Sequence, residues 1–252
     1  MNFGALIIGD EILSGKRQDK HLPRLISALK ARGLQLAWCE YLGDEPALIT
    51  GVLQRTLAAG TPVFSFGGIG ATPDDHTRAC AARAAGVPLV LHPDAEAEIR
   101  ARFGAEVTPQ RLAMGEFPRG SAIIPNPYNR IPGFSLERHY FLPGFPEMAW
   151  PMMEWVLDNH YQALFDPGRV AEASIIVREA GESQLIALMN DTLRRFPELK
   201  IFSLPRLEPN RHIELGARGK PAEVAAAIAM LQAGVSALGF PWASASAAPP
   251  TS

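Results

Sequence analysis

FGGIGATPDDHTR, residues 66–78, sets three glycines, Gly67, Gly68 and Gly70, directly before Thr72-Pro73-Asp74-Asp75. The apolar run PVFSF (62–66) leads into it. An alanine-rich run from Asp74 to Ala85, stopped by Gly86, leads out. A strand, a tight glycine turn and a helix in close succession form one unit of an α/β sheet. The turn itself admits three readings: a phosphate cradle, a metal site, or the plain start of a helix. Thr72-Pro73-Asp74-Asp75 fits a capping box, with Thr at the N-cap, Pro at the first helical position and an acid two residues later. Glycines before a helix N-terminus also let backbone amides approach a phosphate. Asp75 would repel that phosphate unless a cation lay between them.

The same alternation continues outward. Residues 3–8 (FGALII) form a continuous apolar run ending at Gly9, as suits a strand covered on both faces. Asp19 precedes a helix in which Leu22, Leu25, Ile26 and Leu29 share one face, and Gly33 closes it. Residues 34–41 predict a second strand, 46–59 a second helix ended by Gly60, 87–91 a fourth strand and 94–103 a further helix. Ligands of such sheets sit beyond the carboxyl ends of the strands. Three acidic segments therefore face one edge: Gly9-Asp10-Glu11, Gly43-Asp44-Glu45 and the glycine loop. Oxygen-rich sites of this kind suit Mg²⁺ or a similar divalent cation better than Zn²⁺.

Residues 123–134 are Pro- and Asn-rich loop. HYFLPGFPEM (139–148) predicts a strand, a turn at Pro143-Gly144 and a helix from Pro146 to about Leu164, crowded with Met and Trp. The predicted domains are 1–165 and a small β-α-β-β-α domain at 170–240, followed by a disordered tail at 241–252. Overall the sequence predicts a three-layer α/β/α domain with a mostly parallel sheet and a small α+β domain after it.

Composition narrows the partners. The 252 residues are 47% hydrophobic and 20% charged, with net charge −2, which gives no electrostatic case for nucleic acid or an anionic membrane. No apolar run approaches the length of a membrane span. The two cysteines, Cys39 and Cys80, form no CxxC pair and are expected to be reduced thiols in a cytoplasmic protein. None of the six histidines forms an HxxxH or HExxH pair, and no GxSxG elbow or Walker GKS/GKT is present. His76, beside Asp75, either reaches the pocket or sits in solvent on the helix.

GDEILSG (9–15), Asp19, GD (43–44), GGIGATPDDHTR (67–78) and PGFPEM (143–148) occur in an order that resembles the MoaB/Mog domain of molybdenum-cofactor proteins. Within that group the chain is most similar to the N-terminal part of competence/damage-inducible protein A (CinA). The likeness covers about residues 1–165, and residues 170–238 resemble the small KH-like domain that follows there. It does not extend to a deamidase domain, so that activity is not carried over.

The resemblance implies a site for molybdopterin or a nucleotide at the glycine loop. By motif position it assigns catalytic roles to Asp44 and Asp75. Gly67, Gly68, Gly70, Thr72, Asp74, Thr77, Asp10, Glu11, Pro143, Gly144 and Glu147 are the expected ligand-binding set. CinA-type relatives imply a metal-dependent ADP-ribose pyrophosphatase, with a divalent cation on Asp44 and Asp75, and a homo-oligomer. The alternative is a non-catalytic molybdopterin-binding protein. Relatives usually carry Asn where His21 stands, and a Gly-Thr-Ala-Pro-Gly-like run where this chain has Asn129-Arg130-Ile131-Pro132-Gly133. Arg130 is thereby expected near the ligand, where it could pair with a phosphate.

Overall fold

In the computed structural model, which describes residues 2–207 and 211–245, the first strand, β1 (Asn2–Ile8), serves two cores. It sends Phe3, Ala5 and Ile7 into one apolar cluster and Leu6 and Ile8 into another. Side chains alternate across a strand, so a strand covered on both faces must be apolar at every position. The chain divides into two units, residues 1–165 and 166–252.

In the first unit, β1 is followed by a short helix α1 (Asp10–Leu13), then α2 (His21–Ala31), β2 (Gln35–Leu42), α3 (Pro46–Ala59) and β3 (Val63–Phe66). Next come α4 (Thr77–Ala85), β4 (Leu89–Leu91), α5 (Pro93–Phe103), α6 (Pro109–Ala113), β5 (Glu116–Pro118), β6 (Ala122–Ile124), β7 (Gly133–Leu136), β8 (His139–Leu142) and α7 (Pro146–His160). The main sheet has the order β2-β1-β3-β8-β7-β6. Its first four strands are parallel. β7 and the edge strand β6 run antiparallel. α2 and α7 cover one face through Leu25, Leu29, Met152 and Val156. α3, α4 and α5 cover the other through Ile49, Leu53, Ala81 and Ala95. The result is the expected three-layer α/β/α arrangement with a mostly parallel sheet.

Two expectations about the elements of the first unit need correction. Residues 87–91 do not supply the fourth parallel strand. β4 pairs antiparallel with β5 in a separate two-stranded ribbon, and β8 takes the place beside β3. β4 is only half-buried, whereas all four residues of β8 are buried, and burial on both faces is what the central position demands. The second concerns α4, which begins at Thr77 rather than Asp74. Thr72–Asp75 close a turn of their own, in which the Asp75 N–H donates to the Thr72 carbonyl at 3.0 Å.

The second unit contains β9 (Ala171–Arg178), α8 (Glu182–Arg195), β10 (Lys200–Arg206), β11 (His212–Gly219), α9 (Pro221–Ala237) and β12 (Trp242–Ser244). Its four-stranded antiparallel sheet has the order β10-β11-β9-β12 and buries Ile175, Val177, Leu215, Leu231 and Val235. β12 corrects the expectation of disorder from 241. Trp242 pairs with Val177 and its indole N–H donates to Ser236, so an aromatic anchor holds the segment. Residues 246–252 lie outside the described residues. Among the described residues, no helix is long and apolar enough to cross a membrane.

His139, at the start of β8, is 1% exposed. Its Nε2–H donates to the Thr56 hydroxyl (2.8 Å), which in turn donates to the Leu53 carbonyl (3.2 Å). Nδ1 has no partner. Burial pushes the imidazole down from 6.5 to about 4. As pH falls, the unfolded chain therefore takes up this proton first, and the associated stability, complete above 6.5, is lost on the way down to 4. Urea unfolding of wild type and His139→Gln at pH 7, 5.5 and 4 should show the wild type losing roughly 3 kcal/mol more than the variant over that range. Parallel pH curves for the two proteins would contradict the assignment.

Candidate functional site

Four parallel strands end at the same edge, and the segments that follow them meet there. Gly9 follows β1, Gly43-Asp44 follows β2, Gly67-Gly68 follows β3 and Pro143-Gly144 follows β8. The sheet ladder runs on into these turns. The Gly9 N–H donates to the Leu42 carbonyl and the Gly67 N–H to the Leu142 carbonyl, each at 3.0 Å. Close approach explains the glycines. A Cβ on Gly67 (φ 105°) would stand 2.2 Å from the Ile8 carbonyl oxygen. One on Gly68 (φ 68°) would stand 2.2 Å from the Thr77 hydroxyl.

α4 holds the glycine loop from behind. The Thr77 hydroxyl donates to the Gly67 carbonyl (3.0 Å) and the Thr77 N–H to the Gly68 carbonyl (2.9 Å). Arg78, buried one residue later, donates to the carbonyls of Gly70 (2.6 Å), Ala113 and Glu116 (3.3 Å). The Asp75 carboxylate accepts from the Thr72 N–H (2.8 Å) and the Thr72 hydroxyl. So the acid reaches back to Thr72 as in a capping box, but it closes a free-standing turn. With carbonyls and carboxylate turned to these partners, no acceptor among the described residues meets the N–H groups of Gly68, Ile69, Gly70 or Ala71.

These segments line a cleft of about 660 Å³. Of the expected residues, Glu11, Asp44, Gly67, Gly68, Gly70, Thr72, Asp74, Asp75, Pro143 and Gly144 line it. Three do not. Asp10 and Asp44 cap each other, the Asp10 N–H donating to the Asp44 carboxylate (2.9 Å) and the Asp44 N–H to that of Asp10 (3.2 Å). Thr77 is fully buried behind the loop. Glu147 lines an adjoining groove with Asp19 and His21. The Asp44 carboxyl is held above the ordinary range, first by burial and then by the charges of Asp10, Glu11 and Asp74. Among the described residues, no three His, Cys, Asp or Glu side chains gather to hold a metal ion.

Arg130 is a correction. It stands outside the cleft with its guanidinium on Glu98 (2.8 and 3.2 Å). Its neighbours Asn126 and Asn129 line the cleft instead. His76 is the half-buried residue before α4 and does not line the cleft. Sequence reasoning also passed over Lys16 and Arg17, which bring two cations to the acidic cleft. The signal was available as GKR immediately after DEILS. His21 was noticed only as a departure from relatives. It is buried, stacks on Phe66 at 4.6 Å and bonds the Gly144 carbonyl (3.1 Å). A carbonyl only accepts, so Nε2 carries the proton. Burial lowers the imidazole below its ordinary value, which keeps it neutral. No sequence pattern announces that contact, because 123 residues separate its ends.

Comparison with known proteins agrees with this fold. Residues 4–162 match the family described as "Probable molybdopterin binding domain". A CinA-like protein of Geobacter metallireducens is 32% identical over 209 residues, covering 80% of this chain and 51% of the relative. A CinA-like protein of Anaeromyxobacter dehalogenans is 34% identical over 167 residues, covering 63% of this chain. The chain spans 41% of that relative. The crystal structure of CinA from Thermoplasma acidophilum, a protein described as of unknown function, superposes with a TM-score of 0.58. It is 28% identical and covers 63% of this chain and 98% of that one. The chain belongs to the probable molybdopterin-binding domain family, of the MoaB/Mog type with CinA-like relatives.

Proposed function

We propose that the cleft binds a phosphorylated ring compound, a pterin such as molybdopterin or a nucleotide, and cleaves a phosphoanhydride of the ADP-ribose kind. The observation that carries this reading is a set of unmatched amides at Gly68–Ala71 in a cleft that also holds Lys16, Arg17, Asp44 and Asp75. Amides and the two cations suit phosphate oxygens. Phosphate repels carboxylates, so their company favours a cation between them. The donor set does not fit a resident metal cage. It fits Mg²⁺, which usually takes one or two carboxylates and completes its shell with phosphates and water. Asp44 and Asp75 would hold such a cation, and the chemistry it supplies when bound is polarisation of the diphosphate.

The chain's own groups carry the rest. One Asp44 oxygen is committed to the Asp10 N–H. The other is suited to accept a proton from water attacking phosphorus. The bridging P–O bond breaks as the new one forms. Asp75, bonded to Thr72, keeps the loop amides turned toward the leaving phosphate. The second reading is ligand binding without turnover, favoured by the structural roles that Asp44 and Asp75 already hold on the Asp10 and Thr72 N–H groups.

Asp44→Asn and Asp75→Asn should each lower Mg²⁺-dependent hydrolysis of ADP-ribose by at least about 100-fold. Melting temperature should move by no more than a few degrees. Wild-type protein that binds pterin or nucleotide with no turnover in any metal would establish the second reading. Gly68→Ala should cost about 1–3 kcal/mol by urea denaturation, because φ 68° and the Thr77 hydroxyl both oppose a Cβ. Ligand affinity should fall with it. An unchanged unfolding midpoint would show that the loop accommodates the methyl group.

A further inference from the structure

The turn after β8, Pro143-Gly144-Phe145-Pro146, brings Pro143, Gly144 and Phe145 to the wall of the cleft. It abuts the glycine loop: a Cβ on Gly144 would lie 3.6 Å from the Gly67 Cα. Proline fixes φ at both ends of the turn. Phe145 is extended (φ −99°, ψ 119°), as a residue before proline prefers. The peptide plane between Gly144 and Phe145 is the part left free to rotate.

His21, at the start of α2, holds that plane. Its Nε2–H donates to the Gly144 carbonyl at 3.1 Å. The ring is itself fixed, stacked on Phe66 with 4.6 Å between centroids and 19° between planes. The His21 backbone N–H donates to Asp19 Oδ1 (2.7 Å), and Asp19 Oδ2 accepts the Tyr41 hydroxyl (2.8 Å). Nδ1 is buried without a partner. A proton there would be an unmet buried donor, so the ring keeps one tautomer.

A trans peptide sets its C=O and N–H on opposite sides. His21 lines the adjoining groove and not the cleft. With the Gly144 carbonyl turned to His21, the Phe145 N–H faces the other way, toward the cleft. No acceptor among the described residues meets the N–H groups of Gly144 or Phe145. The arrangement parallels that behind the glycine loop, where Thr77 and Arg78 draw the carbonyls back. Two sets of unmatched amides therefore stand on adjoining turns, and a diphosphate has two phosphoryl groups to offer them.

We propose that His21 is a positioning residue that holds the Phe145 N–H on one phosphoryl group of a diphosphate while the glycine loop holds the other. The inference rests on the reading of the cleft as a phosphorylated-ligand site and goes beyond it by giving the second phosphoryl group a place. His21 acts through the Gly144 peptide and touches no ligand.

Calorimetry and ³¹P NMR of the full chain with α,β-methylene-ADP, in Mg²⁺ buffer, test it. The analogue keeps both phosphoryl groups and resists hydrolysis. His21→Phe keeps the stack on Phe66 and loses the donor. His21→Gln loses the stack and keeps a side-chain N–H for the Gly144 carbonyl. His21→Phe should bind roughly tenfold more weakly than the wild type, the scale of one misdirected hydrogen bond to a charged group. His21→Gln should stay within about threefold. The wild type should shift both phosphorus resonances. In His21→Phe one should return toward its free position while the other stays. A residue that served packing alone would reverse the order of the two variants or move both resonances together. Either result, or a single shifted resonance in the wild type, would overturn the role of His21 and leave the cleft reading standing. Failure of the wild type to bind the analogue would sink the cleft reading and this inference together.

Discussion

The end of β3 passes so close to the end of β1 that no side chain fits between them, and the site follows from that approach. A Cβ on Gly67 would lie 2.2 Å from the Ile8 carbonyl. The chain leaves β3 there at positive φ and continues so through Gly68, which turns it across the strand ends rather than away from them. Two carbonyls, of Gly67 and Gly68, then face back into the protein, where Thr77 takes both. Arg78 takes the Gly70 carbonyl. Each carbonyl drawn backward helps turn the peptide N–H groups of the loop the other way, into the cleft. Buried carbonyls require partners, so the loop could not hold this course without Thr77 and Arg78 at the head of α4.

This dependence explains what was legible in the sequence. Parallel strands covered on both faces must be apolar throughout, so β1 and β3 announced themselves. Asp19, Gly33 and Gly60 bounded helices through local backbone chemistry, which a sequence displays. Because strand ends of a parallel sheet share an edge, the acidic segments at 9–11 and 43–45 could be brought to the glycine loop before any coordinates. β4 was misjudged because a short apolar run looks the same in a central strand and in a ribbon. Only the burial of β8 on both faces decides which one stands beside β3.

The site was less legible where its contacts span the chain. Thr72-Pro73-Asp74-Asp75 carries every local sign of a helix start, and Asp75 does reach back to the Thr72 N–H. The helix begins later because Thr77 and Arg78 must face the loop that precedes them, a tertiary demand that outweighs local preference. Arg130 illustrates the reverse. A cation near a phosphate site invites a functional reading, yet at φ 63° its side chain meets Glu98 on α5. Lys16 and Arg17, in a loop with no regular pattern, supply the charge in its place.

The balance of charge in the cleft is what separates a ligand site from a structural turn. Asp10 and Asp44 satisfy each other's backbone, and Asp75 satisfies Thr72, so each acid alone has a sufficient structural role. Backbone capping does not explain why they crowd. Asp44 sits among Asp10, Glu11 and Asp74, and its carboxyl is pushed above the ordinary range by burial first and by their charges next. A fold seeking caps alone would spread such charges, since their mutual repulsion costs stability that capping with Asn or Ser would avoid. Lys16 and Arg17 line the same cleft and offset part of that repulsion; on the proposed reading they would also pair with a diphosphate. On the proposed reading, the repulsion that remains would become attraction once a cation and an anionic ligand bind together, and neither is expected to bind well without the other.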